Sequence, residues 1–387
     1  RSGPGLGGFY WESTDGVVDL VEGDRYSLLQ VLFKEVEVLG VFSDWPATTT
    51  FFANCMGISL RNMEGARQDV TADGDMSPSV QLGPRPYWLI EQMRDIELKT
   101  KLGKFMAGKA NLLCELPTLT ISIESCVTSK VAFTVSDFSI GHRGACMQFP
   151  EHTLESYHAA LRMGAGIVEC DVTFTKDRQL ICRHAQCDLH TTTDVVTRPE
   201  LNAKCTTPFE VGGEAPLCCA SDFTLEEIKM LCAKMDSSGG PNATSPEEYA
   251  FGGTADWRTD LYQLESCPMV PTHKESIELI KAVGGRFTPE LKSPSVEMPY
   301  EGDYTQEAYA QQMIDEYVEL CVQPEYVWPQ SFNPEDVFYW IDNTDFGDQA
   351  VALDDNYGAN DTAIDEFLDS LVARNVSIVA PPMQELV

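Results

Sequence analysis

A chain of 387 residues, 43% of them hydrophobic, can fill two average domains or one α/β barrel with an addition, and wholesale disorder is excluded. Against 27 Lys and Arg stand 60 Asp and Glu, a formal net charge of -33 that repels nucleic acid and anionic membranes, so neither is expected as a partner. No window approaches the roughly 18 consecutive apolar residues that a membrane helix needs, so stable membrane insertion is not expected either.

Residues 1–58 open with a Gly-rich run (Gly3, Gly5, Gly7, Gly8). The amphipathic stretch from Tyr26 to Val38 predicts a helix, followed by a short strand within Val38 to Pro46 that Pro46 ends. Residues 59–80 are polar and read as a linker. From about residue 81, short apolar strands alternate with helical patterns, the signature of a βαβ series and a parallel sheet. A strand from Val135 to Ile140 delivers His142, and Thr153 caps a helix with the apolar face Leu154, Tyr157, Leu161 and Ala165, closed by Gly164 or Gly166. Strands follow at 167–172 and 180–182, the second ending at Arg183-His184. Residues 188–260, rich in Thr, Cys, Gly and Pro, read as an irregular insertion. Alternation resumes with strand 286–292, helix 305–321, strands 327–332 and 349–353, helix 363–373 and strand 376–380. The resulting six or seven strands fall short of a closed eight-stranded barrel.

The 13 cysteines, including the vicinal pair Cys218-Cys219, fit an oxidising compartment better than the cytosol, and no CxxC pair signals a zinc or redox centre. Three glycosylation sequons (Asn242-Ala-Thr, Asn360-Asp-Thr, Asn375-Val-Ser) agree with secretion. No signal peptide is visible, but Arg1 is not an initiator Met, so an upstream start is compatible with this reading.

The chemistry concentrates in Gly141-His142-Arg143-Gly144, Pro150-Glu151, Glu169-Cys170-Asp171 and His184. A phosphate-bearing substrate in so acidic a protein needs a local cation, which predicts a metal ion helped by Arg or Lys. Glu169 and Asp171 lie two apart on a strand, so their carboxylates share a face, a costly arrangement unless a cation sits between them. Pro289-Glu290-Leu291-Lys292 adds a third carboxylate and a cation at another strand end, and in a barrel such ends converge on one face. Oxygen-only donors favour Mg²⁺ or Ca²⁺. His142 and His184 each follow an apolar strand. A lone histidine there is as often structural, but two together offer a general base and a general acid near neutral pH. Arg143 would fork onto phosphate oxygens. His152, His158, His190 and His273 lack such a setting and read as structural or surface residues.

The ordered series Gly-His-Arg-Gly, Pro-Glu-His-Thr, Glu-Cys-Asp-Val, Thr175-Lys176-Asp177, Arg183-His184, Thr191-Thr192-Thr193, Phe-Thr-Pro-Glu-Leu-Lys and Gln330-Ser331-Phe332 resembles the glycerophosphodiester phosphodiesterase family over roughly residues 82–387. The resemblance implies a TIM-type (β/α)₈ barrel with an insertion, a divalent cation, and hydrolysis of small glycerophosphodiesters to an alcohol and glycerol 3-phosphate. By motif it implies His142 and His184 as the acid/base pair and Glu169, Asp171 and Glu290 as metal ligands. Arg143 and Lys292 would hold phosphate, while Glu151 and Gln330 line the site. His152 departs from the family, which more often has Asn there. A lysophospholipase D-like activity on the same scaffold, or an inactive barrel serving as a binding module, are the alternatives.

The family's barrel continues beyond the strand that 376–380 resembles, and the chain stops at Val387 first. Gly40 to Pro46 resembles the family's last strand instead. Residues 1–58 therefore look like the tail of a phosphodiesterase barrel, 59–80 a linker and 81–387 a barrel with an insertion about 188–260. The expectation is a fragment of a tandem array, or a permutation lacking one βα unit in which residues 38–46 fill the last-strand slot beside Asp137 to Gly141. A small accessory domain is the plainer alternative for 1–58.

Overall fold

A computed structural model describes residues 24–58, 134–252, 267–355 and 361–382. The Gly-rich run, the expected linker and the start of the expected barrel at residue 81 lie outside the described residues.

The framework is a parallel sheet in the order β1-β2-β3-β5-β6-β7-β8. Its strands are β1 (Val41–Ser43), β2 (Ser136–Gly141), β3 (Ala165–Phe174), β4 (Leu180–Cys182), β5 (Arg286–Leu291), β6 (Gln330–Ser331), β7 (Val351–Leu353) and β8 (Ile378–Ala380). Helices lie between the strands that pair in parallel, as such connections require. The architecture is that of a TIM-type barrel, and among the described residues no strand joins β8 to β1.

The N-terminal segment completes the β2 side. Helix α1 (Asp24–Lys34) leads to β1, which runs parallel to β2 with Val41 opposite Ser139, Phe42 opposite Ile140 and Ser43 opposite Gly141. This is the slot expected for residues 38–46. Pro46 plays a different part from the one expected: it opens helix α2 (Pro46–Cys55) at its first turn, where a missing N–H costs nothing. Phe51 and Phe52 of α2 and Tyr26 of α1 bury against Phe138 of β2. Asn54 ties to Thr134 by backbone and side-chain hydrogen bonds of 2.8 to 3.0 Å.

Helix α3 (Leu154–Arg162) starts where Thr153 accepts the Ser156 N–H at 3.1 Å, as expected of that cap. The turn after it brings β3 hard against β2: a Cβ on Gly166 would stand 2.7 Å from the Asp137 amide nitrogen, so only glycine fits. All 10 residues of β3 are buried, as befits a strand covered on both faces.

β4 corrects the sequence reading. It pairs antiparallel with β3 as a hairpin, off the barrel path, instead of forming a step of the βαβ series. The turn Thr175 to Gln179, closed by the Thr175 N–H donating to Gln179 O at 3.0 Å, reverses the chain too soon for a crossover. A disulfide, Cys170–Cys182, links the two strands. The segment that follows has an apolar core around Leu189, Phe223, Ile228 and Leu231 and is stapled by Cys187–Cys219, Cys205–Cys218 and Cys232–Cys267.

Helix α4 (His273–Val283), absent from the sequence reading, begins in a capping box between Thr272 and Glu275 and ends at left-handed Gly284. Helices α5 (Gln306–Glu319), α6 (Pro334–Asn343) and α7 (Asp361–Ala373) follow β5, β6 and β7. β6 is short because Pro329 has no N–H to give the ladder.

Candidate active site

The C-terminal ends of β1, β2, β3 and β5 carry the chemistry. Asp171 of β3 stands in register with Glu290 of β5, which stands in register with Gln330 of β6. Adjacent strands are about 4.8 Å apart, so this register alone brings the side chains together. Glu169, two residues before Asp171, joins the same face, and ligand oxygens of Glu169, Asp171 and Glu290 all lie within 4.8 Å of one another. All three carboxylates are buried.

Burial and then the neighbouring Asp171 charge push Glu169 up to about 7 and Glu290 up to about 8. Burial pushes Asp171 up as well, but Lys292 and His152 outweigh it and hold that carboxyl well below the usual range. Lys292 Nζ stands 2.5 Å from Glu290 Oε1, and Gln330 Nε2 donates to Glu169 Oε1 at 3.1 Å. Asp171 Oδ1 is buried with no hydrogen-bond partner. Three oxygen donors that repel one another, one of them unsatisfied, fit a hard divalent cation.

The turn after β2 wraps over this cluster. Arg143 takes a positive φ of 55° and Gly144 one of 87°, where a Cβ would lie 2.4 Å from Ser156 Oγ. The Arg143 N–H donates to Glu169 Oε2 at 2.9 Å, and its guanidinium pairs with Glu151 at 3.0 Å. That partner, against the effect of burial, holds the Glu151 carboxyl well below its ordinary value. His142 Nε2 is 3.7 Å from Glu169 Oε2, while its Nδ1 meets Asp44 Oδ1 at 2.5 Å. Burial opposes the charged imidazole, yet Glu169 and Asp44 carry it up to about 9.

His184 sits past β4, where the Arg183 N–H donates to Asp171 O at 2.8 Å and its guanidinium donates to the Glu151 and His152 carbonyls. One ring nitrogen of His184 lies within 4.8 Å of ligand oxygens of Glu151 and Asp188. Burial and then the Arg143 charge push the imidazole down to about 3. His142 thus stands beside Glu169 and His184 beside Glu151, and every residue singled out from the sequence (His142, His184, Arg143, Lys292, Glu151, Gln330, Glu169, Asp171, Glu290) lies at this end of the sheet.

Two partners were missed. Asp44 lies in the strand-end motif that the sequence reading recognised, but no role was read from it. His152, taken as structural or surface, is fully buried with Nε2 2.8 Å from Asp171 Oδ2 and Nδ1 2.9 Å from the Tyr157 hydroxyl, so it fixes an expected metal ligand.

The glycerophosphoryl diester phosphodiesterase family model matches residues 142–343. The chain is 44% identical over 115 residues to an "Extracellular protein" of Arthroderma benhamiae, covering 30% of this chain and 46% of that protein. It is 36% identical over 107 residues to a glycerophosphodiester phosphodiesterase of Arabidopsis thaliana, covering 28% of each chain. The matches therefore span less than half the length of these relatives. Among solved structures, a putative glycerophosphoryl diester phosphodiesterase from Silicibacter pomeroyi superposes with a TM-score of 0.46 at 17% identity, covering 62% of this chain and 73% of that one.

Proposed function

The chain belongs to the glycerophosphoryl diester phosphodiesterase family, and on that premise we propose that it hydrolyses small glycerophosphodiesters to an alcohol and glycerol 3-phosphate. The observation that carries this reading is the meeting of three buried carboxylates from β3 and β5, with His142 3.7 Å from one of them.

Glu169, Asp171 and Glu290 would hold a divalent cation, with Mg²⁺ or Ca²⁺ suited to oxygen donors. Such an ion supplies charge neutralisation of the phosphodiester and polarisation of phosphorus. Arg143 and Lys292 pair with Glu151 and Glu290 beside this cluster and would bind the non-bridging oxygens. Gln330 and Glu151 orient Glu169 and Arg143.

The two imidazoles divide the proton work. Asp44 on Nδ1 fixes the His142 tautomer and stabilises its proton, which suits His142 to protonate the departing alkoxide. A cation on Glu169 would offset part of the carboxylates' pull, but the Asp44 contact remains. His184, kept neutral by burial and by the Arg143 and Lys292 charges, can accept the proton of the attacking hydroxyl, whether from water or the glycerol 2-hydroxyl.

Four disulfides between described residues and the exposed sequon residues Asn242 and Asn375 support secretion and glycosylation. The acidic charge supports a small-molecule substrate over nucleic acid, and among the described residues no helix is long and apolar enough to cross a membrane.

The test is release of glycerol 3-phosphate from glycerophosphocholine with and without a chelator. Release that stops with chelator and returns with Mg²⁺ or Ca²⁺ is expected. Release indifferent to chelation would remove the cation from the mechanism. Cleavage of a lyso-lipid alone would move the protein to the lysophospholipase D-like reading, and cation binding with no diester cleavage would make it a binding module.

A further inference from the structure

We propose that Asp44, His142 and Cys146 form a second metal site, selective for a soft divalent cation such as Zn²⁺, whose occupation switches the enzyme off. The inhibitory consequence rests on the phosphodiesterase reading above, while the binding itself does not.

One ligand atom from each of Asp44, His142 and Cys146 lies within 4.8 Å of the other two. Asp44 Oδ1 already touches His142 Nδ1 at 2.5 Å, and the Cys146 thiol hydrogen-bonds the same carboxylate. Ligands of a tetrahedral zinc ion sit roughly 3.3 to 3.8 Å apart, so small side-chain rotations suffice. The two segments that supply them are pinned together by main-chain hydrogen bonds, His142 N–H to Ser43 O at 3.1 Å and Met147 N–H to Asp44 O at 3.2 Å. The site is therefore largely assembled before any ion arrives. It also has an entrance: the Asp44 side chain is 49% exposed, while Cys146 forms the buried floor at 7%.

The donor set separates this site from the three-carboxylate cluster. Thiolate and imidazole prefer zinc to magnesium or calcium, whereas Glu169, Asp171 and Glu290 offer only oxygen. Cys146 carries a thiol and lies outside the disulfides of the described residues. Arg143 lies close enough to act on Cys146, but it is paired with Glu151, and Glu169 lies 3.7 Å from His142. The local charge thus does not repel a cation.

On binding, the thiol gives its proton to solvent and the thiolate bonds the metal. His142 Nδ1 likewise releases its proton to solvent and gives the freed lone pair to the ion in place of its contact with Asp44. No electron is transferred. The imidazole is then no longer cationic and holds its remaining Nε2 proton too tightly to give it to the leaving alkoxide, so turnover falls even when the carboxylate cluster holds its own ion.

Metal-free full-length protein titrated with Co²⁺, a spectroscopic stand-in for Zn²⁺, tests this. A thiolate-to-cobalt charge-transfer band is expected in the wild type, in Glu290→Gln and in Cys321→Ser, and it should vanish in Cys146→Ser and on addition of Zn²⁺. No band in the wild type, or a band that survives in Cys146→Ser, would overturn the proposal. Should Cys146→Ser fail to fold, Asp44→Asn must weaken Co²⁺ binding by at least about tenfold, the lower range for disturbing a metal site. Under saturating Mg²⁺, Cys146→Ser should likewise need at least about tenfold more Zn²⁺ for half-inhibition. If no diesterase activity is found, the optical titration still decides the site.

Discussion

Asp171 and Glu290 are register partners on adjacent parallel strands, so their carboxylates leave the sheet on one face and at one height. Burial with the Asp171 charge raises Glu290 to about 8. In an unfolded chain the same group titrates near 4.5. A raised carboxyl contributes stability fully present below the unfolded value and lost as pH rises through the folded one. The chelated protein should therefore lose melting temperature between about pH 5 and 8, with Glu169, raised to about 7, acting in the same direction. Glu290→Gln should flatten that slope, and saturating Mg²⁺ or Ca²⁺ should flatten it in the wild type. A melting temperature independent of pH in chelator would contradict the picture.

The contact of Asp44 with His142 gives a second expectation. Asp44→Asn removes a carboxylate that helps raise the imidazole to about 9, so the His142 titration followed by NMR in the metal-free protein should move to lower pH. As the leaving-group acid, His142 must be protonated, and the rate falls as pH rises through its pKa. The alkaline limb of the pH–rate profile should shift down in Asp44→Asn, with turnover reduced about 10- to 100-fold, the range for losing an orienting partner. An unmoved limb would assign that proton to another group.

Why Asp44 escaped the sequence reading is a matter of distance along the chain. Glu169 and Asp171 declare themselves by a period of two on one strand, and Glu290 and Lys292 by the same spacing on another. Asp44 is 98 residues from His142, and only the parallel pairing of β1 with β2 joins them. The strand itself was legible, because Gly40 to Pro46 resembles a last barrel strand. His152 holds one of the two places the sequence reading allowed it, a structural one, and its contact with Asp171 was hidden for a related reason: the partner lies 19 residues away on β3. β4 was read as a barrel strand because three apolar residues look alike in a crossover and in a hairpin, and only the turn at 175–179 separates them. Helix α2 was hidden by Pro46, which ends a strand as readily as it opens a helix.

The backbone at Gly144 makes a prediction about stability. At φ 87°, with an added Cβ 2.4 Å from Ser156 Oγ and 2.7 Å from the Ser156 carbonyl carbon, Gly144→Ala must move helix α3 or the His142-Arg143 turn. Strained left-handed positions cost on the order of 1–3 kcal/mol, before any steric clash. The variant should melt several degrees lower and bind divalent cation more weakly, because the Arg143 N–H would be drawn off Glu169. Unchanged melting by calorimetry would show that the turn relaxes freely.

The division of labour between the histidines can be read through the leaving group. Both His142→Ala and His184→Ala should lose about 10²–10⁴ in rate on glycerophosphocholine, whose choline alkoxide needs a proton to depart. A glycerophosphoryl p-nitrophenol departs without one. If His142 is the acid, its loss should matter far less on that substrate, while His184→Ala stays impaired, because the attacking hydroxyl still needs a base. The geometry behind this is the asymmetry of the two imidazoles: Asp44 and Glu169 face His142, whereas Arg143 and Lys292 act on His184. Rescue of His184→Ala in place of His142→Ala would reverse the roles, and rescue of neither would place both histidines ahead of bond cleavage.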